Sequence, residues 1–455
     1  MKEKNEIYVR ALKLAVPMMI QNGITNMVGL IDNVMVGSLG TEAITGVSII
    51  GQLIFVFNLA VFGGLSGPGI YSAQFFGQNN DEGVKNTFRI KLWISIFCMM
   101  LGICVFIFGG DFLIGLYLKG ESATVDADLV LVNAKQYLQI MLLNIVPFVL
   151  TQTYASTLRE TGESVKPMVA GIMSVLVDIV MNYMLIYGHL FFPKLGVRGA
   201  AIATVLARIV EFIIVVVWSH AKSKKHTFLI GIYKTLLVPK DLFFKVIKKG
   251  APIFVNEFLW AGGIAVMTQC YSARSLDAVA GLNISNALCN LLNVVFVAMG
   301  SAVGILIGQM LGASEYKKAE KSAIKLMLFT GLLCVGLTVV LVAISGVFPD
   351  FYDTSEEIKQ MATYFIIITA LFFPIQGFLN SLYFTIRSGG KTFITFLFDG
   401  GYTWAVTVPV SYLLCLFTDI SIFGVFAIVQ AADIIKVIVG YILIRKGVWI
   451  NNIVE

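Results

Sequence analysis

The stretch 43–77, AITGVSIIGQLIFVFNLAVFGGLSGPGIYSAQFFG, decides the architecture once it is set against 278–312, AVAGLNISNALCNLLNVVFVAMGSAVGILIGQMLG. Neither stretch carries a charge, and each exceeds the about 20 residues that a helix needs to cross hydrocarbon. At a fixed offset of 235, Ala43 falls on Ala278, Gly46 on Gly281, Ile49 on Ile284, Ser66 on Ser301, Gln74 on Gln309 and Gly77 on Gly312. Upstream, Pro17 falls on Pro252 with no gap. Further along the offset drifts only slightly. Tyr137 and Pro147 meet Tyr364 and Pro374 at 227, Arg159 and Gly162 meet Arg387 and Gly390 at 228, and Gly199 meets Gly424 at 225. Ordered matches of this kind do not arise from shared apolar composition alone. The chain reads as a duplication.

Composition sets what is duplicated. Of 455 residues, 58% are hydrophobic and 13% charged, and the mean hydropathy is +0.86. A soluble domain carries about a quarter charged residues, so a water-soluble enzyme is excluded. Apolar runs place twelve helices near 11–36, 44–76, 88–117, 130–158, 167–190, 197–220, 251–273, 279–311, 322–349, 358–386, 392–416 and 420–445. The expected fold is an all-α integral membrane protein whose twelve transmembrane helices form two pseudo-symmetric six-helix lobes. Residues 1–220 make the N-terminal lobe, 221–250 a basic cytoplasmic linker and 251–455 the C-terminal lobe. An even number of helices per half gives both lobes the same orientation, as in parallel-repeat transporters.

With the N-terminus inside, 25 of the 33 Lys and Arg face the cytoplasm. Six face out (Lys119, Lys135, Lys194, Arg198, Arg274 and Lys359), and Arg208 and Lys436 lie within helices. That bias puts both termini in the cytoplasm of a multi-pass cell-membrane protein. The net charge of +6 is thus a topology device, and nucleic-acid binding is not expected. The opening MKEKNEIYVR lacks the pattern of a cleaved signal peptide, so the first helix is retained. The linker carries eight lysines around Leu242, Phe243, Val246 and Ile247, which suits a short interfacial helix or a surface linker. The six cysteines all sit in apolar runs and read as buried packing residues.

Ionisable residues at membrane depth are functional candidates. Asp32 lies in helix 1, about 8 Å from its outer end at 1.5 Å per residue. Asp178 lies in helix 5 with Asn182 one turn later on the same face, and Thr204 sits in helix 6. Together they can form an oxygen-rich site that holds a sodium ion or shares a proton; the plainer alternative is hydrogen bonding between helices. In the second half Asp32 maps to Met267, so that acid is missing. Glu257 and Asp399 appear instead, near Trp260, Tyr402 and Trp404. Carboxylates beside aromatic faces suit a large organic cation; the alternative is simple packing. Arg208 and Glu211 align with Asp433 and Lys436 and read as structural ion pairs. Pro68, Pro147 and Pro374 are expected to kink or loosen helices 2, 4 and 10. SGGKT at 388–392 has Thr385 where a phosphate loop needs glycine, so no nucleotide site is expected and ATP is not the energy source. The histidines, His189, His220 and His226, lie at helix ends or in a loop, which leaves no catalytic cluster and no cofactor.

Several segments, in order, resemble the multidrug and toxic compound extrusion (MATE) transporters over essentially the whole chain. They are AVPMMIQ (15–21), IDNVMVGSLG (31–40), QFFGQ (74–78), TLRETGE (157–163), MNYMLIYG (181–188), GVRGAAIATV (196–205) and GAPIFVNE (250–257). The resemblance implies a secondary active multidrug efflux antiporter that works by alternating access. Cationic or amphipathic organic compounds would leave in exchange for Na+ or H+. It assigns the ion-coupling role to Asp32, Asp178, Asn182 and Thr204, with the helix-5 Asp and Asn in reversed order. In the norfloxacin-exporter branch, the second-lobe acids fall on Gln376 and near Trp260 here. Glu257, Trp260, Gln376, Asp399 and Tyr402 are therefore expected along a substrate cavity rather than at an ion site. A monomer in the lipid bilayer is expected. The rival readings are a lipid-linked oligosaccharide flippase and a dedicated metabolite exporter of the same superfamily.

Overall fold

The computed structural model describes residues 2–118, 126–190, 192–221 and 226–455; Lys119, Lys222, Lys224 and Lys225 lie outside the described residues. Twelve helices are long and apolar enough to cross a membrane, and no strand occurs among the described residues. They are α1 (Lys2–Gly37), α2 (Thr41–Gly77), α3 (Asp81–Tyr117), α4 (Ala127–Glu160), α5 (Val165–Tyr187) and α6 (Val197–Ala221). The second set is α7 (Lys240–Arg274), α8 (Leu276–Gly312), α9 (Tyr316–Ile344), α10 (Glu356–Ser388), α11 (Thr392–Phe417) and α12 (Ile422–Arg445). Most run beyond the apolar stretches that announce them, because polar caps rather than the end of hydrophobicity set the ends. The Asp126 carboxylate accepts from the Asp128 amide at 2.9 Å, and Ser275 and Ser421 open α8 and α12 in the same way. Gly188 closes α5 in the left-handed region at φ 77°, where a side chain would be strained.

The helices cluster into two units. The N-terminal unit holds Ile20–Gly69 and Asp81–Phe243. Its core gathers Ile50 and Val61 of α2, Ile114 of α3, Ala134 and Val149 of α4, Ile186 of α5 and Ala201 of α6. The C-terminal unit holds Phe244–Glu455 with the start of α1 and with Ile70–Asn80 at the end of α2. Its largest core joins Leu14 and Met18 to Met299, Ile307, Leu326, Leu382, Ile444 and the fully buried Trp449.

The repeat seen in the sequence has a packing cause. A Cβ on Gly46 would come within 2.9 Å of the Ala134 nitrogen, and one on Gly281 within 3.1 Å of the Ala362 nitrogen. Each half thus seats its second helix on its fourth through the same glycine, which is how close helix contacts are made without a hydrophobic drive in lipid. Within the C-terminal unit, a Cβ on Gly77 would strike the Gln309 carbonyl, and one on Gly312 would strike the Gln74 carbonyl. Gln74 and Gln309 are repeat mates, so this reciprocal crossing is a local twofold. The Gln74 amide donates to the Ser388 and Asn451 carbonyls at 2.8 and 3.2 Å and accepts from the Ile453 amide at 2.9 Å. The C-terminal strand of chain is thereby strapped to the crossing.

Two expectations change, and two irregularities come with no signal in the sequence. Pro68, Pro147 and Pro374 lie inside α2, α4 and α10, while α11 carries two π-helical turns, Leu397–Gly401 and Thr403–Thr407, and α12 is interrupted at Ala432. Leu242, Phe243, Val246 and Ile247 form no separate interfacial helix but lie in the first turns of α7. Cys104 is exposed, unlike the other five cysteines, since it lies on an outer face of α3. The described linker also packs on α3, where Arg89 and Trp93 donate to the Ile232 and Leu236 carbonyls at 3.3 and 3.1 Å.

Gly77→Ala and Gly312→Ala should each lower stability by about 1–3 kcal/mol through overpacking. Gly109→Ala, with nothing within 4 Å of the new Cβ, should leave it unchanged. Thermal unfolding of the three detergent-purified variants measures the difference.

Candidate functional site

The N-terminal unit brings all four first-half candidates together. The Asn182 Nδ2 donates to Asp32 Oδ1 at 2.8 Å, tying α5 to α1. The Asp178 carboxyl lies close to both Asp32 and the Thr204 hydroxyl. Tyr137 of α4, which nothing in the sequence singled out beyond its repeat mate, reaches the same hydroxyl. Thr204 donates to the Ala200 carbonyl at 3.2 Å. Asp178 and Asn182 are 6% and 1% exposed, and Oδ1 of each has no hydrogen-bond partner. An orphaned buried oxygen costs about 1–3 kcal/mol. Two of them one helical turn apart, beside a second carboxylate, form an acceptor-rich cradle. Its donor set is all oxygen, which suits a hard cation or a proton.

A chain of charges leads away from this cradle. Arg208 lies within electrostatic reach of Asp178 and Asp32, stacks over the Phe148 ring at 5.7 Å, and pairs with Glu211 at 2.7 Å. Arg159 lies within reach of Glu211 and Glu160 and donates to Gln21 at 2.9 Å. Lys91, fully buried, binds both Glu160 oxygens at 2.6 and 2.7 Å and also Ser156 and Thr157. Every ammonium proton has an acceptor, which makes a buried lysine tolerable.

The C-terminal unit holds a different cluster. Lys436 lies 3.2 Å from Asp399 and 3.8 Å from Asp433. It also faces the Tyr402 and Phe398 rings at 5.3 and 5.9 Å. The sequence reading of Asp433 and Lys436 as a pair within one helix is thus incomplete, because the lysine reaches across to α11. Asn256 donates to Asp399 at 3.0 Å and accepts from the Gly400 amide at 2.8 Å. Gln376 donates to Asp433 at 2.6 Å, and the Tyr402 hydroxyl donates to the Ala432 carbonyl at 2.5 Å. Glu257 lies within electrostatic reach of Asp399 and Arg387. Trp260 has no hydrogen bond in this cluster and is 40% exposed, while Trp404 donates to the neighbouring Leu259 carbonyl at 2.8 Å. Asn256 is a residue that the sequence reading passed over. Its signals are its place in the GAPIFVNE segment and an amide beside a carboxylate inside an apolar helix.

Twelve apolar helices with buried, paired charges and an acceptor-rich cradle define a polytopic membrane protein. The MatE family model matches residues 17–184 and 252–413, so the chain belongs to the MATE family of multidrug efflux transporters. It is 25% identical over 444 residues to the probable multidrug resistance protein YoeA of Bacillus subtilis, covering 97% of this chain and 94% of that one. It is 22% identical over 458 residues to the probable multidrug resistance protein NorM of Thermotoga maritima, covering 98% and 94%. Among solved structures it resembles an aspartate-to-asparagine mutant of the Vibrio cholerae MATE transporter VcmN, with a TM-score of 0.86 at 17% identity over 98% of both chains. It also resembles an outward-facing multidrug resistance MATE transporter, with a TM-score of 0.84 at 18% identity over 96% and 95%.

Arg208→Met should destabilise the protein by about 3 kcal/mol, because Glu211 is left buried without its nearest cation. Adding Glu211→Leu should restore most of that loss. Calorimetry of the single and double variants in detergent provides the check.

Proposed function

We propose that this chain is a secondary active antiporter that exports cationic or amphipathic organic compounds in exchange for Na+ or H+, by alternating access. The observation that carries the reading is the cradle of Asp32, Asp178, Asn182 and Thr204, with two fully buried oxygens that have no partner. An intramembrane acid pair with unfilled acceptor atoms is a receiver for a cation. Binding there neutralises repulsion between the carboxylates and draws α1, α5 and α6 together. Loss of the cation lets them part, so the ion and the shape of the unit are linked.

Substrate recognition belongs, on this reading, to Glu257, Gln376, Asp399 and Tyr402, with Trp260 at their margin. The excess of basic residues on one set of loops supports both termini in the cytoplasm of the cell membrane. The protein acts as a monomer. A lipid-linked diphosphate is a poorer fit, because Lys91, Arg208 and Lys436 each hold a carboxylate already.

The test is dye efflux in inside-out vesicles with a sodium or a proton gradient imposed separately. One gradient is expected to drive transport, and Asp32→Asn or Asp178→Asn should reduce it by roughly tenfold or more at unchanged expression. Undiminished efflux in the double variant would contradict the assignment.

A further inference from the structure

The cluster around Lys436 has the composition of an organic-cation site, and the cation in it is the protein's own. Two carboxylates, Asp399 and Asp433, and two aromatic faces, Tyr402 and Phe398, surround one ammonium. That combination of ion pairing and ring faces is the chemistry by which an alkylammonium is recognised. The two carboxylates are already supported by the Asn256 and Gln376 amides, so neither depends on the lysine alone for a partner.

The backbone at this place is irregular on both sides. Asp399 lies within the first π turn of α11, and Tyr402 stands between the two π turns. α12 breaks at Ala432, immediately before Asp433, and the Ala432 carbonyl accepts both the Ile435 amide, at 3.0 Å, and the Tyr402 hydroxyl. A π turn holds an extra residue, so its return to α-helix turns everything beyond it by about 100°. Irregular backbone inside a membrane persists where it lines a site or a cavity. The side chains of Asp399, Asp433 and Lys436 remain 23%, 17% and 12% exposed, so the cluster is reachable rather than sealed.

We infer that Lys436 is a specificity-determining residue, a tethered ammonium that occupies the cation subsite of Asp399, Asp433 and Tyr402 and that a cationic substrate must displace. The inference rests on the efflux reading above. It extends that reading by naming what fills the subsite before a substrate arrives. A competitor tethered within reach lowers the fraction of molecules able to bind, and apparent affinity falls by the same fraction. Only compounds whose charge and ring contacts exceed those of the lysine would be taken. A neutral amphipath would gain nothing from the carboxylates.

The experiment measures binding of a permanent cation, tetraphenylphosphonium, to the purified full chain by equilibrium dialysis. Lys436→Gln should bind it about tenfold more tightly than wild type, whereas Lys436→Arg should match wild type. In Lys436→Ala, millimolar methylammonium should weaken binding back towards the wild-type level, and it should have no such effect on wild type. A purely structural lysine would not produce that competition. Should the neutral variants fail to fold, acetylation of Lys436 in wild type, read by mass spectrometry, should rise when tetraphenylphosphonium is present. Unchanged affinity in a folded Lys436→Gln, or unchanged acetylation of wild type, would overturn the inference while leaving the efflux reading standing. Absence of binding to wild type and to every variant would overturn the efflux reading for this class of compound, and this inference with it.

Discussion

A charge inside hydrocarbon has no water to turn to, so each one must meet its opposite within the protein. That constraint orients the helices here. Arg208 and Glu211, paired at 2.7 Å, hold one face of α6 towards the interior of its unit. Thr204 lies one turn before Arg208 on the same face, so the structural pair aims the hydroxyl at Asp178. Asn182 does the same for α5 through its bond to Asp32. Lys91 and Glu160 lock α3 to α4. The cradle is therefore held in place by charge pairs that flank it. Its two orphaned oxygens lie one turn apart on a single helix and beside a second carboxylate.

The duplication kept the packing and let the chemistry diverge. Gly46 and Gly281 seat equivalent helices in the two halves, and Gly77 and Gly312 cross reciprocally. Yet Asp32 has Met267 as its repeat mate, and the charges of Arg208 and Glu211 are inverted at Asp433 and Lys436. One half presents carboxylates with unfilled acceptors on regular helices. The other presents an ammonium already enclosed, on helices with π turns and a break. On the proposed reading, the first arrangement receives the coupling ion and the second gives up its lysine to a cationic substrate. A coupled exchanger needs both kinds of site.

Much of this was legible in the sequence because it rests on length, charge count and spacing. The twelve spans follow from apolar runs, and the repeat from glycines whose spacing packing enforces. The Asp178 and Asn182 pair could be read because four residues return a helix to the same face. Contacts between helices were harder. Lys436 and Asp399 are 37 residues apart, and helical periodicity gives the face of each residue but not which neighbour it meets. Lys436 therefore passed for a partner of Asp433 alone. Some helix irregularity was invisible for a related reason. Proline is the breaker that a sequence displays, but α11 departs from α-helix where Asn256 takes the Gly400 amide, with no proline there to announce it. Asn256 sits inside the GAPIFVNE segment and Tyr137 has a repeat mate, but only the packing of the helices shows what each one meets.

The account stands or falls on whether the first-half cradle receives the coupling ion. The most direct measurement is cation binding by the purified protein, with radioactive sodium uptake and proton uptake followed on one preparation. The account predicts about one cation per chain, of one kind or the other, lost in Asp178→Asn and retained in Glu257→Gln. Binding that persists in Asp178→Asn and disappears in Glu257→Gln would move the coupling site to the second half and contradict it.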